Sequence, residues 1–514
     1  MKKSMNKRLL DNSNNNKSRK DGNNDIDNNN NNNNNNDNDE DENLVFEDPF
    51  GDEFEEEELY DDNENDDYNE DNENDDDNED GISHDDMMAI QNQDEDFKQG
   101  PKEVWRPGID QLNEGEELDF DPSAYIMYHS FRTEWPCLSF DILKDNLGDN
   151  RQRFPMTMYM VTGSQADKGD KNKITLLKLS DLRKTQVKDE DDEDDEDNDN
   201  DDDEDDDDDD DPTLEHVNVA HPGGVNRLRT MPQAPGIVAS MAETGQVHIF
   251  DLQAVHKSMM VTGPRASPPT KPAFTFRGHR TEGFAIDWSL KAPGKLATGD
   301  CSGNIHIWNC EVSSQMNSNQ WQVDPKPYTG HKGSVEDIQW SPSEATVFSS
   351  ASTDKTIKIW DTRGKNPQIS FDAHNEDVNV ISWNRSVAYL LASGCDDGSF
   401  KVWDLRTLRN NAGPIANFQY HKGAITSIEW APHDESVISV SGSDDQLTVW
   451  DLSVEADTNN STDPVLTDFP PQLLFIHQGQ HNIKEIHHHP QINGLIVSTA
   501  EDGFNIFKPA ISVK

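Results

Sequence analysis

Residues 330–361 read GHKGSVEDIQWSPSEATVFSSASTDKTIKIWD, and this stretch decides the fold. Three apolar runs of strand length alternate in it with turn residues. The runs extend from Val335 to Trp340, from Val347 to Ser352 and from Thr356 to Asp361. Short apolar runs that are bounded by Pro, Gly, Asp and Ser are typical of an antiparallel meander. The stretch therefore predicts one small twisted sheet that opens with Gly-His and closes with Trp-Asp.

The same pattern recurs along the chain. Its clearest copies close with Trp360-Asp361, Trp403-Asp404 and Trp450-Asp451, so the tryptophans lie 43 and 47 residues apart. This signature resembles the four-stranded blade of a WD40 propeller, whose period is about 40–45 residues. Degenerate copies begin at His221 and at Gly278-His279, and another follows Ile483. Six blades are recognisable in this way.

A seventh blade is weaker in the sequence. It consists of three strand-like segments upstream, from Cys137 to Ile142, from Pro155 to Val161 and from Lys173 to Leu179. We therefore predict an all-β fold, a seven-bladed WD40 β-propeller over residues 136–510. If residues near the C-terminus pair with this first sheet, the ring closes and leaves no long exposed edge.

Histidine, aspartate and tryptophan recur at the same place in the blades, so we assign them to architecture rather than to chemistry. A buried indole fills the space between sheets, while His and Asp can hydrogen-bond one another and fix the turns. The residues so assigned are His331, Asp354, Trp360, His374, Asp397, Trp403, His421, Asp445 and Trp450. Two blades have Ser302 and Thr244 where the aspartate is expected, and we expect packing to hold these blades together.

Acidic segments hold most of the net charge of −58. Residues 1–100 contain 35 acidic and 8 basic side chains, with an Asn run from Asn28 to Asn36, and we expect this tail to be disordered. The tract from Asp189 to Asp211 contains 21 acidic residues and no basic one, and it interrupts the first blade. This tract is either a solubilising loop or a surface that shields a basic, nucleic-acid-binding client. We favour the shield, because such a charge density attracts polycations at long range.

Residues 101–135 join the acidic tail to the first blade. Asp121 and Pro122 have the order of an N-cap followed by the first residue of a helix. Leu118, Tyr125, Tyr128 and Phe131 would form one apolar stripe on that helix. We predict a short docking helix, which either only packs on the propeller or also builds a groove for the client.

Other function classes find little support. The body carries the wrong sign of charge for direct binding to DNA or RNA, although the basic start from Lys2 to Lys20 is a candidate nuclear address. No apolar run reaches membrane-span length, and Cys137, Cys301, Cys310 and Cys395 form no C-x-x-C pair. Consecutive strand residues face alternate sides, so His487, His488 and His489 do not converge on one metal ion. We expect neither a cofactor nor enzymatic activity.

The predicted docking helix, Cys137 to Ile142, Leu147-Gly148-Asp149-Asn150-Arg151, the acidic tract and the WD blades occur in an order that resembles the glutamate-rich WD-repeat protein family. The resemblance covers residues 101–514 and extends to the histone-binding WD proteins. It implies a ribosome-biogenesis factor of the nucleus and nucleolus, which acts as a chaperone of a basic protein of the large ribosomal subunit and meets pre-ribosomal particles indirectly. The alternatives are a histone-binding chromatin-assembly factor and a ubiquitin-ligase substrate receptor.

Overall fold

The computed structural model describes residues 121–185, 211–310, 321–410, 412–455 and 469–511. The predicted tail at residues 1–100, the start of the linking segment and most of the acidic tract, Asp189 included, lie outside these residues. In the described residues, 29 strands form seven sheets, one for each blade of a β-propeller. The prediction of seven WD40 blades is therefore confirmed.

Each blade is an antiparallel sheet, and six of the seven follow chain order from the first strand to the last. The strand that comes first in the chain, β1 (Tyr125–Phe131), belongs to the last blade. The strands of the first four blades are, for blade 1, β2 (Cys137–Leu143), β3 (Met156–Ser164), β4 (Lys173–Leu182) and β5 (Thr213–Ala220); for blade 2, β6 (Val225–Met231), β7 (Ala234–Ala242), β8 (Val247–Asp251) and β9 (Phe274–Phe276); for blade 3, β10 (Ala285–Trp288), β11 (Leu296–Gly299), β12 (Asn304–Cys310), β13 (Trp321–Val323) and β14 (Tyr328–Thr329); and for blade 4, β15 (Val335–Trp340), β16 (Val347–Ser352), β17 (Thr356–Asp361) and β18 (Pro367–Asp372).

The remaining strands are those of blade 5, β19 (Val378–Trp383), β20 (Leu390–Cys395), β21 (Ser399–Asp404) and β22 (Ala416–Gln419); of blade 6, β23 (Ile425–Trp430), β24 (Val437–Gly442), β25 (Leu447–Asp451) and β26 (Leu473–His477); and of blade 7, β27 (Glu485–His488), β28 (Ile496–Ala500) and β29 (Gly503–Pro509). One α-helix occurs in the described ranges, α1 (Gln253–Met259), between β8 and β9. Short 3-10 turns span Pro122–Ala124, Gly169–Lys171 and Leu408–Asn410.

The first strand of every blade contacts the first strands of both neighbouring blades. These seven strands, β2, β6, β10, β15, β19, β23 and β27, therefore form a closed ring around a central channel. Aromatic and aliphatic side chains fill the space between successive blades, and Trp360 and Phe348, both fully buried, are examples. In consequence the polar chemistry of the interior is confined to the channel and to the turns.

Ring closure differs from the prediction. The outer strand of blade 7 is β1, which pairs antiparallel with β29 from Tyr125 opposite Pro509 to Phe131 opposite Phe504. The predicted docking helix is wrong: Asp121 accepts a hydrogen bond from Ser123 N–H, yet it caps only a single 3-10 turn. The N-terminal segment thus closes the last sheet, and the C-terminus does not pair with the first one.

In blade 4, the repeated polar residues form a hydrogen-bonded chain. Trp360 Nε1–H donates to the Ser350 hydroxyl at 2.8 Å, which lies 2.7 Å from His331 Nε2, and His331 Nδ1 lies 3.0 Å from Asp354 Oδ2. In blade 5, Ser399 stands between the two partners: its hydroxyl lies 3.1 Å from His374 Nδ1, and its N–H donates to Asp397. Trp403 bonds Ser393 in the same way as Trp360 bonds Ser350.

Two of the predicted assignments need correction. In blade 6, His421 Nδ1 lies 3.0 Å from Asp444, whereas Asp445 accepts from the backbone N–H of Asn482 at the start of the next blade. In blade 3, Ser302 does not leave the histidine without a carboxylate, because Asp300 lies 2.9 Å from His279 Nδ1. Only the blade with Thr244 has no such pair among the described residues, since His221 bonds the Gly223 carbonyl and Ser240.

Candidate functional site

The three aromatic residues proposed for docking are parts of the closing strand. The Tyr125 hydroxyl lies 2.8 Å from His477 Nδ1, and the residue is only 8% exposed. Tyr128 lies against Tyr125 with the ring centres 5.3 Å apart, and Phe131 stacks on Phe504 at 4.9 Å. These rings hold β1 against blade 7, so the structure offers no groove built from a helix at this place.

The acidic tract connects β4 to β5, the third and fourth strands of blade 1. In an antiparallel sheet, the connections after the first and the third strand lie at the same end. Both flanks of the tract, Thr185 and the exposed Asp211, therefore lie at the end of the propeller where the first strands finish. We call this end the mouth face.

The central channel opens at the mouth face into a cavity of about 190 Å³, which we call the channel cavity. Each first strand contributes one polar side chain to it. These are Asp141, Arg229, Asp287, Gln339, Ser382, Glu429 and His487. Four strands then end in a buried tryptophan that also lines the cavity, namely Trp288, Trp340, Trp383 and Trp430.

Most of these polar side chains join neighbouring blades. The Asp141 carboxylate accepts from Thr230 N–H at 2.7 Å, and Asp287 accepts from Trp340 N–H at the same distance. The three remaining contacts of this kind are from Trp383 N–H to Gln339, from Trp430 N–H to Ser382 and from His488 N–H to Glu429. Each such bond satisfies a buried backbone donor of the following blade. The cavity wall is therefore rigid and polar.

Ion pairs compensate most of the buried charge. Arg229 lies 2.7 Å from Glu485, His487 lies 2.9 Å from Glu429, and Arg227 lies 3.4 Å from Asp337. Burial lowers the pKa of His487, but Glu429 and Glu485 outweigh it and raise the pKa to about 9. Burial would raise the pKa of Glu485, yet Arg229 holds it well below its ordinary value.

Asp287 differs from the other carboxylates, because none of these three ion pairs includes it. Among the hydrogen bonds of the described residues, its carboxylate accepts only the one from Trp340 N–H. Burial raises the pKa of Asp287 to about 7. His488 is similarly incomplete: it is 7% exposed, it lines the cavity, and its Nε2 atom has no hydrogen-bond partner in the described part of the chain.

Metal chemistry finds no support in the geometry. His487 is held by Glu429, whereas His489 uses Nδ1 to accept from the backbone N–H groups of Gln491 and Ile492. Within the described ranges, His374, Cys395 and Asp397 are the one group close enough to share an ion. Both ring nitrogens of His374 already contact serine hydroxyls, and burial raises the pKa of the Cys395 thiol to about 11. We therefore assign no ion to them.

The channel cavity was not predicted from the sequence. Its members occur once in each first strand, and no motif distinguishes them from other polar residues. The available signal was a polar or charged side chain directly before the last residue of the strand, as in Asp287-Trp288, Gln339-Trp340 and Glu429-Trp430. Such a residue points to the strand face opposite the buried tryptophan.

None of the helices in the described ranges has both the length and the apolar character that a membrane span requires.

Comparisons with known proteins agree with this architecture. Residues 325–361, 365–404 and 412–451 match the family model of the WD domain, G-beta repeat. Residues 115–183 match a second family model, which describes the histone-binding protein RBBP4 and its counterpart in the CAF1 complex.

Three relatives align over most of their length. The chain is 50% identical to Protein HEAT STRESS TOLERANT DWD 1 of Arabidopsis thaliana over 80% of this chain and 92% of the relative. It is 49% identical to Glutamate-rich WD repeat-containing protein 1 of Dictyostelium discoideum, over 80% and 86% of the two chains. It is 42% identical to Ribosome assembly protein rrb1 of Schizosaccharomyces pombe, over 82% and 87%. With identities this high over four fifths of its length, the chain belongs to the glutamate-rich WD-repeat protein family.

Proposed function

We propose that this protein binds a basic protein of the large ribosomal subunit and escorts it to assembling ribosomes in the nucleolus. A role in ribosome biogenesis is supported by the relative that is named a ribosome assembly protein. The propeller fold and the names of the relatives point to a non-catalytic scaffold. The observation that carries the finer proposal is the run of 21 acidic and no basic residues from Asp189 to Asp211, whose described flanks lie at the mouth face.

The charge of this tract suits a client that binds RNA. Basic ribosomal proteins carry lysine and arginine that contact phosphates, and free RNA would occupy those residues before assembly. An acidic tract attracts such a client at long range and covers its cations. Pre-ribosomal RNA, a denser polyanion, then competes for the same cations and releases the client without any need for nucleotide hydrolysis.

Histone binding is the second candidate, and a specific observation favours it. The match to the histone-binding model covers residues 115–183, which include β1 and the first three strands of blade 1. A histone also presents the clustered positive charge that an acidic tract attracts. The two functions differ in the client and in the compartment, nucleolus or nucleoplasm.

The deciding experiment is a competition for the tagged full-length chain. The chain is incubated at moderate salt, after RNase treatment, with equal amounts of core histones and of the proteins released from purified large ribosomal subunits. We expect one large-subunit protein to be retained near one-to-one, as quantified by mass spectrometry. Retention of histones in its place would move the protein to chromatin assembly. Retention of neither class would refute the escort function.

A further inference from the structure

We propose that the channel cavity is the anchoring site for one arginine or lysine side chain of the client, inserted from the mouth face with Asp287 as its carboxylate partner. The inference rests on the proposed function for the identity of the client, but it assigns a defined site and a defined chemistry. Four features of the structure support it, and each concerns a different property of the cavity.

The first feature is the sign of the charge. The channel wall carries five carboxylates, from Asp141, Asp287, Asp337, Glu429 and Glu485, and three cations, from Arg227, Arg229 and His487. Two further cations, Lys144 and Arg385, lie at the rim, where Lys144 is exposed and the Arg385 side chain is 53% exposed. The interior therefore has an excess of negative charge, and a ligand anion would be placed beside Asp287 and Glu429.

The second feature is the incomplete bonding inside the cavity. A buried carboxylate without a cation is unfavourable, and Asp287 accepts one backbone hydrogen bond and takes part in none of the three ion pairs. His488, which is 7% exposed, presents an unpartnered Nε2 atom to the same cavity. A guanidinium or ammonium group supplies several N–H donors, so it would satisfy both residues together.

The third feature is the shape and the lining of the cavity. A volume of about 190 Å³ has room for a long side chain but not for a folded element. The indole rings of Trp288, Trp340, Trp383 and Trp430 lie along the wall, where they can contact the aliphatic stem of lysine or the flat face of arginine. Depth and lining thus fit a cationic side chain that enters from an extended segment.

The fourth feature concerns the surface around the opening. All five large hydrophobic side chains that are well exposed in the described residues lie at the mouth face, in connections after first or third strands or at the start of a fourth strand. They are Leu147, Leu214, Val261, Leu290 and Ile415, with exposures from 38% to 58%. Leu290 lies on the rim of the cavity itself. A client segment whose cation enters the channel would cover Leu290 with its neighbouring residues.

The test combines a matched pair of variants with a cross-linker. Asp287→Asn keeps the oxygen that accepts from Trp340 N–H but removes the charge, so the fold is retained. Asp170→Asn makes the same change in an exposed turn between β3 and β4, at the opposite end of the propeller. The photoreactive residue p-benzoylphenylalanine is placed at position 290, and in a second chain at position 170. The probes are the released large-subunit proteins and, separately, core histones.

We expect the probe at position 290 to cross-link to a client segment that contains arginine or lysine, and the probe at position 170 to give no such product. We expect Asp287→Asn to weaken capture about tenfold, the effect of one lost charge-assisted hydrogen bond, and Asp170→Asn to leave it unchanged. Normal capture by Asp287→Asn with no product from position 290 would overturn the anchoring site and leave the escort function intact. A product with histones alone would keep the site and overturn the ribosomal client. No capture of either class would overturn both.

Discussion

The Nδ1 atom of His487 lies 2.9 Å from the Oε2 atom of Glu429, and this contact joins the first strands of blades 6 and 7. Burial alone would neutralise both groups. Their mutual attraction is stronger, so the pKa of His487 rises to about 9 and that of Glu429 falls to about 2. The pair is therefore ionised in the folded protein at neutral pH.

This pair predicts a pH-dependent stability. A histidine with a raised pKa in the fold contributes fully below its unfolded pKa of about 6.5, and the contribution is lost as pH rises through about 9. We expect His487→Gln to lower the free energy of unfolding at pH 6 by on the order of 2 kcal/mol, and by much less at pH 10. Urea unfolding at both pH values measures the difference. The exposed His481, changed to Gln, is the control, and an equal loss for His487→Gln at pH 6 and pH 10 would attribute the effect to packing.

The closing strand predicts a loss of stability and of solubility when it is removed. A chain that starts at residue 121 keeps β1, whereas a chain that starts at residue 132 lacks it and exposes the edge of β29. We expect the shorter chain to melt at a lower temperature and to form dimers or larger species, because an open strand edge pairs with other chains. Calorimetry and size-exclusion chromatography compare the two. Identical behaviour would show that β1 is dispensable for closure.

Adjacent aspartates in blade 6 predict unequal effects. Asp444→Asn removes the charge opposite His421 and weakens the bond from Lys422 N–H, which costs about 1–3 kcal/mol. Asp445→Asn keeps an oxygen for Asn482 N–H and suits the positive φ of 64° at this position, so we expect little change. The two variants, compared by urea unfolding, control each other. A larger loss for Asp445→Asn would restore the original assignment of the repeat.

These cases show why some features could be predicted from the sequence and others could not. The blades were visible because Trp360, Trp403 and Trp450 repeat at a nearly regular spacing, and the stacking of like units follows from it. The strand β1 was missed because Tyr125, Tyr128 and Phe131 also fit a helical stripe, while its partner β29 lies more than 370 residues away. Local patterns carry no information about such a distant partner. The channel cavity was missed for the related reason that only the closed ring brings Asp287 and Glu429 to one place.

The acidic tract predicts a salt-dependent capture. Replacement of the Asp and Glu residues from Asp189 to Asp211 by Asn and Gln should weaken binding of the client at 0.1 M salt and flatten the dependence of the affinity on salt. The reason is screening, since the Debye length falls from about 10 Å at 0.1 M to about 3 Å at 1 M. Fluorescence anisotropy with the labelled client measures both affinities. Unchanged affinity at low salt would mean that the tract only solubilises the protein.

The anchoring carboxylate predicts that function is gained at the cost of stability. Burial raises the pKa of Asp287 to about 7 in the fold, above its unfolded value of about 3.8, so the folded state loses stability as pH rises between these values. Asp287→Asn should therefore unfold at higher urea than the parent chain at pH 8, by on the order of 1–3 kcal/mol, and the difference should shrink towards pH 4. Asp170→Asn should change neither value. A carboxylate that stabilised the propeller through its own contacts would give the opposite result, a less stable Asp287→Asn at pH 8, and the channel cavity would then need no cation from a partner.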